Sequence, residues 1–272
     1  MIPLKDRANN LLILTLVSIS LLASCKTMKR DDTKAIKVLS YNIHYGVGMD
    51  DKKDLARIAS VIKKLKPDII GLQEIGDSSM AAELGQLTGM QVVFGPSKES
   101  MNGYGDAILS RFPFTYVGNQ SIPSASSSRY QAMCVDVDVS AIYGKETSIR
   151  FITTHFDWLA TLGSKAARKA AVEVIEKGFF TDVPRNLPSI LTGDLNAIPG
   201  SPPIALLQKQ GWIYENLGQN LFTIPVANPN RQIDYVLPRP NKRWRILDVS
   251  VIKEQIASDH LPILMTLELV TR

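Results

Sequence analysis

Short apolar runs of strand length, each ending in a polar or ionisable residue, recur along this chain and constrain its fold more than any other feature. Ile36–Tyr41 is β-rich and passes into Asn42, and Asp68–Gln73 is a nearly continuous apolar run that passes into Glu74. Between them Leu55, Ile58, Ala59, Ile62 and Leu65 recur at helical spacing, with Asp54 placed to cap the helix and Pro67 to stop it. The opening therefore reads strand, helix, strand. A second helix is expected at Met80–Leu87. Strand signals then crowd together at Gln91–Phe94, Asp106–Ser110, Tyr116–Ser121, Gln131–Val139 and Ser148–Thr154, which reads as one β-meander. Ala167, Ala170, Ala171, Val174 and Ile175 repeat at helical spacing, Ser189–Thr192 is a buried strand and Ile204–Leu207 a short helix. Ile233–Leu237, Arg245–Val251 and Leu261–Leu269 close the chain as strands. There is no internal repeat and no linker-like stretch after residue 34, so one mixed α and β domain is expected, with helices covering sheet faces.

Composition supports a folded domain of this kind. The 272 residues are 45% hydrophobic and 21% charged, which excludes a disordered, collagen-like or coiled-coil chain. The formal charge of +5 suits a polyanionic or membrane-surface partner but falls short of a dedicated nucleic-acid-binding stripe. The first residues differ from the rest: Lys5 and Arg7, then apolar Leu11–Leu22, then Ala23-Ser24-Cys25. That run is too short to span a bilayer, which takes about 20 residues. Its order is that of an export signal, and Leu22-Ala23-Ser24-Cys25 resembles a bacterial lipobox. Residues 1–24 are thus expected to be a signal peptide, Cys25 to carry lipid, 25–34 to be a solvated tether and 35–272 the folded domain. This would place the protein in the bacterial cell envelope, held to a membrane through Cys25. Cys134 then has no disulfide partner, and its apolar neighbours mark it as buried and inert.

Six segments place polar groups at strand ends, where they can converge on one rim: Tyr41–His44, Gln73-Glu74, His155–Asp157, Gly193–Asn196, Gln232–Tyr235 and Ser258–His260. All three histidines fall inside them. Singly each has a plain structural reading: Asp194-Leu195-Asn196 as an Asx turn, Ser258-Asp259 as a turn cap, Glu74 as a surface carboxylate, His155 as a hydrogen-bonded structural histidine. Together they supply an amide oxygen, carboxylates and imidazoles with almost no Cys. That donor set suits a hard cation such as Mg²⁺ and argues against structural zinc.

The ordered motifs VLSYNIH, DIIGLQE, YGDAILSR, TTHFDW, LTGDLNA, RQIDYVL and ASDHLPI span residues 38–263, and in this the chain resembles the endonuclease/exonuclease/phosphatase superfamily of metal-dependent phosphoesterases. The superfamily includes pancreatic deoxyribonuclease, abasic-site endonucleases, neutral sphingomyelinases and inositol polyphosphate 5-phosphatases. The resemblance implies an α+β fold, a four-layer α/β/β/α sandwich of two packed, mostly antiparallel β-sheets flanked by helices. It implies that Asn42, Glu74 and Asp259 hold Mg²⁺ or Mn²⁺, that Asp194 orients and deprotonates the attacking water, and that Asn196 bonds the phosphate. His260 would contact the phosphate with Asp234 fixing its tautomer, and His155 would serve in acid–base or phosphate-binding work. Asp106 stands where the family often has Asn, and is expected to pair with His155. His44 is expected beside Asn42, as a support to the ligands or as rim packing. Tyr104 and Arg129 are weaker candidates for substrate contact. The basic run Arg239, Lys242, Arg243 and Arg245 around Trp244 could meet a polyanion, with a solvated hairpin as the plainer reading.

The expected activity is a metal-dependent phosphodiesterase acting on a phospholipid head group, nucleic acid or small phosphodiester, as a monomer. A nuclease, a phosphomonoesterase and an inactive module that binds an anionic ligand are the alternatives. The last would be marked by a lost polar position, and none is lost here.

Overall fold

The computed structural model describes residues 34–97, 103–126, 130–144 and 146–270. Cys25, nearly all of the tether and Arg129 lie outside the described residues.

Among the described residues eleven strands and five α-helices run in the order β1 (Ala35–Asn42), α1 (Leu55–Leu65), β2 (Ile69–Ile75), α2 (Ser78–Thr88), β3 (Gln91–Pro96), β4 (Gly105–Ser110), β5 (Phe114–Ile122), β6 (Tyr130–Asp138), α3 (Ser140–Tyr143), β7 (Ser148–His155), α4 (Leu162–Phe180), β8 (Ser189–Asp194), α5 (Pro202–Lys209), β9 (Asp234–Arg239), β10 (Trp244–Val251) and β11 (Ile263–Leu269). They form two sheets, β10-β11-β1-β2-β4-β3 and β5-β6-β7-β8-β9. Each has one parallel pair, β1–β2 and β7–β8, among antiparallel neighbours. A buried layer including Ile36, Ile69, Met133, Phe151, Ile190 and Met265 fills the space between the sheets. Leu39, Tyr41, Ile58, Ile62, Ile70 and Leu84 pack α1 and α2 onto the outer face of the first sheet. Ala171, Ile175, Leu191, Ile204 and Tyr235 do the same for α4 and α5 on the second. The four-layer sandwich is therefore present.

Local chemistry sets the element ends. Asp54 Oδ1 accepts from Arg57 N at 2.9 Å and caps α1, which stops where Lys66 turns left-handed (φ 53°) before Pro67. Asp77 caps α2 through Met80 N at 2.8 Å, and Gly89 (φ 70°) ends it. The expected single β-meander is corrected: Phe112 and Pro113 separate β4 from β5, so β3 and β4 join the first sheet while β5, β6 and β7 build the second. Strand propensity reports extended backbone but not which sheet edge a strand pairs with. The two sheets approach closely where β2 faces β7 and β8. A Cβ on Gly71 would lie 2.0 Å from Thr192 Oγ1, and Gln73 Nε2 donates across the gap to Thr153 Oγ1 at 2.9 Å.

Candidate active site

The strand pairing brings the polar strand ends to one rim. β1 and β2 run parallel with Asn42 beside Gln73, β7 and β8 run parallel with His155 beside Asp194, and antiparallel β9 begins at Asp234 directly opposite Asp194. In β2 the register against β4 shifts between Leu72 and Ile75, so Gln73 and Glu74 both face Asp106. This bulge re-aims Glu74, which takes φ 60°. His44 (φ 45°), Tyr45 (φ 57°) and Asn196 (φ 46°) are also left-handed. Such backbone is costly for residues with a Cβ, and its concentration here is the mark of a site that the surrounding packing holds in place.

Asp194 is the centre of the cluster and its two oxygens have different duties. Oδ1 accepts from Asn196 N at 2.9 Å, which is the Asx turn foreseen as the plain reading. Oδ2 faces Asn42 Nδ2 at 3.2 Å, His155 Nε2 at 3.4 Å and His260 Nε2 at 3.7 Å. Asn42 Nδ2 also donates to Glu74 Oε1 at 3.0 Å, while Asn42 Oδ1 accepts from His44 N at 3.1 Å. His260 Nδ1 donates to Asp234 Oδ2 at 2.9 Å, which directs Nε2 towards Asp194. Asn196 Nδ2 donates to Phe156 O at 3.0 Å and faces His155 Nε2 at 3.2 Å. If Nε2 accepts there, Nδ1–H of His155 donates to the Tyr104 hydroxyl at 2.8 Å. The Ser258 hydroxyl donates to Asn42 O at 2.8 Å and accepts from His260 N at 3.2 Å, tying the segment before β11 to the end of β1. Asp259 Oδ1 lies 3.9 Å from His44 Nδ1 and its charge acts on Glu74.

Burial and charge set the protonation of these groups. Burial, helped by the Asp234 charge, raises the Asp194 pKa to about 6 against the opposing pull of His155 and His260. Burial alone would lower His260, but the Asp234 and Asp194 carboxylates and the bond to Asp234 raise it to about 10. Burial lowers His155, which stays a neutral imidazole. Burial, with the Asp259 charge, raises Glu74, offset in part by the Asn42 bond.

The structure thus brings Asn42, Glu74, Tyr104, His155, Asp194, Asn196, Asp234 and His260 into one network, with Asp259 and His44 at its half-exposed edge. The expected bond between Asp106 and His155 is corrected. Both nitrogens of His155 face other partners, and neither oxygen of the fully buried Asp106 carboxyl makes a hydrogen bond. The family resemblance suggested the pair, but the hydroxyl of Tyr104, just before β4, takes the His155 contact. Ser258 was read from sequence only as part of a turn cap, and Tyr130 was not selected. The Tyr130 ring meets His155 edge-on at 5.0 Å, and a single aromatic at the start of a strand gives no signal of that contact.

The donor set fits a hard divalent cation. Asn42, Glu74 and Asp259 offer an amide oxygen and two carboxylates on one edge. Asp194, Asp234 and His260 bring ligand atoms within 4.8 Å of one another. In that second group His260 and Asp234 are already bonded to each other, and a cation between them would have to break that bond.

No curated protein matches the chain by sequence. Solved structures do match its fold. One from Bacteroides vulgatus, an endonuclease/exonuclease/phosphatase, superposes with a TM-score of 0.70 at 17% identity, covering 87% of this chain and 99% of the other. The mannosyl-6-phosphatase Bt3783 of Bacteroides thetaiotaomicron gives 0.65 at 18% identity over 87% and 100%. D. rerio TDP2 complexed with a single-strand DNA product gives 0.65 at 18% over 86% and 99%. The model of the Endonuclease/Exonuclease/phosphatase family matches residues 39–260, a stretch that contains every residue of the rim, and the chain belongs to that family of hydrolases acting on phosphoester bonds.

Proposed function

We propose that this protein is a divalent-metal-dependent phosphodiesterase in which Asp194 activates water. The observation that carries the reading is the Asp194 carboxylate itself: buried, raised to about 6, and held between the Asn42 amide and two imidazoles. A base poised near neutrality is what water activation needs. Asn42, Glu74 and Asp259 would hold Mg²⁺ or Mn²⁺, which neutralises charge on the phosphoryl group and on the leaving oxygen. Asp194 Oδ2 orients the water and takes its proton as the new P–O bond forms and the ester bond opposite breaks. Asn196 and the cationic His260 hold the phosphate oxygens, and Asp234 keeps the His260 proton on Nε2 pointed at them. His155, a neutral imidazole between Tyr104 and Asn196, holds the Asn196 amide in place beside the phosphate.

A diester is favoured over a monoester by charge. The groups that meet Asp194 are amides and imidazoles, and the guanidinium whose charge reaches it, Arg168, spends its hydrogen bonds on the Asp157 and Leu159 carbonyls. Such a site suits the single charge of a diester better than a dianion. The likeness to a mannosyl-6-phosphatase keeps a monoester as the second reading. The full chain should hydrolyse bis-p-nitrophenyl phosphate with Mg²⁺, lose turnover in EDTA, and lose at least about 100-fold in Asp194→Ala and His260→Ala. Faster turnover of p-nitrophenyl phosphate would replace the diesterase reading with the monoesterase. Turnover unchanged by both substitutions would leave only a binding module.

The same proposal includes export and a lipid anchor on Cys25, with residues 25–34 as the tether and the domain from residue 35 acting as a monomer. Mass spectrometry of the mature N-terminus tests it, since an unmodified residue other than Cys25 overturns the anchor.

A further inference from the structure

The two ends of the sandwich differ in how their charges are arranged. Around the catalytic rim exposed Asp50, Asp51 and Asp77, near Glu74 and Asp259, are interleaved with exposed Lys52 and Lys53, and Asp50 pairs with Arg57 at 3.0 Å. At the other end β1, β2 and β8 begin, and α1, α5 and β9 finish. Six exposed cations collect there: Lys63 and Lys66 at the end of α1, Arg111 after β4, Arg185 before β8, Lys209 closing α5 and Lys242 between β9 and β10. Arg111 reaches Asp68 at 3.1 Å, and the other five have no ion-pair partner among the described residues. Lys63 and Lys209 lie in last helical turns, where a cation complements the helix dipole. Arg111, Arg185 and Lys242 are on connections, so the dipole does not account for them.

Two cavities open among these cations. One of about 270 Å³ is lined by Lys63, Lys66 and Arg111, and one of about 440 Å³ by Arg185, Lys209 and Arg239. In the second the Arg239 guanidinium lies 3.6 Å from the centre of the Phe180 ring and 4.3 Å from that of Trp212, clamped by Glu176. The nearby Arg243 Nε is buried and makes no hydrogen bond. Four of the six cations that line these cavities, Lys63, Lys66, Arg185 and Lys209, have no ion-pair partner among the described residues, and such cations are suited to phosphate groups presented side by side. The chain also enters the domain here, at Lys34, immediately before β1. From Cys25 to Lys34 an extended chain spans at most about 30 Å. The apolar run Leu11–Leu22 and its lipobox therefore lead into the basic end, while β1 carries Asn42 about 25 Å away from it.

We propose that this basic end docks on an anionic lipid surface, so that the catalytic rim points away from the membrane to which the chain is tethered. The proposed anchor is used only to choose lipid over another polyanion, and the identity of the phosphoester plays no part.

The test compares binding of the full chain to phosphatidylcholine vesicles with and without phosphatidylglycerol, at low and high salt. Each cation near an anionic surface is worth about 1 kcal/mol, so at low salt phosphatidylglycerol should strengthen binding roughly tenfold or more. High salt should abolish that gain. Lys63→Glu with Lys66→Glu, Lys209→Glu and Lys242→Glu should abolish it too, with turnover of a soluble diester unchanged as the check on folding. Trp158→Ser with Leu162→Ser, on the exposed apolar rim, should leave it intact. The proposal is overturned if phosphatidylglycerol brings no gain, if the gain survives the four charge reversals, or if the rim variant loses it. An oligonucleotide that binds the basic end when vesicles do not would assign the surface to nucleic acid instead. A chain without lipid on Cys25 keeps the phosphatidylglycerol gain, so failure of the anchor and failure of the docking surface are read separately.

Discussion

At the scale of single residues, the site depends on side chains that each serve two neighbours. Asn42 is the clearest case. Its amide nitrogen bonds Glu74 and Asp194, its side-chain oxygen accepts from His44 N, and its carbonyl is held by Ser258. Glu74, bent into place by a left-handed residue in a bulge, presents its carboxylate near that of Asp259 with no lysine or arginine bonded to it among the described residues. Like charges held together without a cation cost stability that a bound ion restores, and an ion that binds only the native state raises the melting temperature. Mg²⁺ should therefore raise the melting temperature of the wild-type protein, and Glu74→Ala should reduce that rise while melting close to the wild type in EDTA. A rise of equal size in the variant would remove Glu74 from the set of ligands. Asp106 shows the opposite arrangement. Its carboxyl is fully buried with no hydrogen bond to either oxygen, and burial with the Glu74 charge pushes its pKa well up.

At the scale of elements, connections are pinned to the sheets by buried carboxylates. Asp157, just after β7, accepts from Ala125 N at 2.7 Å, Ser126 N at 3.1 Å, Leu159 N at 3.2 Å and Ser124 Oγ at 3.1 Å. It thereby joins the segment before β6 to the start of α4, while Arg168 of α4 donates to its carbonyl at 2.6 Å. Burial opposes the charged form, but these backbone donors outweigh it and the pKa is lowered. A carboxylate lowered in the folded state contributes stability above its unfolded value of about 4, and that contribution disappears as pH falls through the folded value. Asp157→Asn should cost about 1–3 kcal/mol at neutral pH, and the gap to the wild type should close on acidification below about pH 4 in denaturant titrations. A gap that stays constant through that range would show that shape, and not charge, holds the junction.

At the scale of the whole molecule, the layer order and the gathering of cations at one end follow from two kinds of information. The run of apolar and amphipathic segments was enough to determine the alternation of elements, the cap at Asp54 among them, because periodicity and capping act within a few residues of chain, while the Asp77 cap of α2 came from the structure. The polar residues at strand ends were legible for the same reason, and the ordered motifs carried the family and the sandwich. The tertiary structure alone decided the rest. Which sheet takes β3 and β4 depends on pairing between distant strands, which leaves no local trace in either one. The bulge in β2 turned Glu74 inward, since one extra residue reverses the face a side chain takes, and Tyr104 holds the His155 contact that the resemblance had suggested for Asp106. Cations scattered from Lys63 to Lys242 became a single basic end only because helices and strands return to the same edge of the sandwich. Local chemistry is written in neighbouring residues, whereas convergence depends on contacts between residues far apart in the chain, and those exist only once the chain has folded.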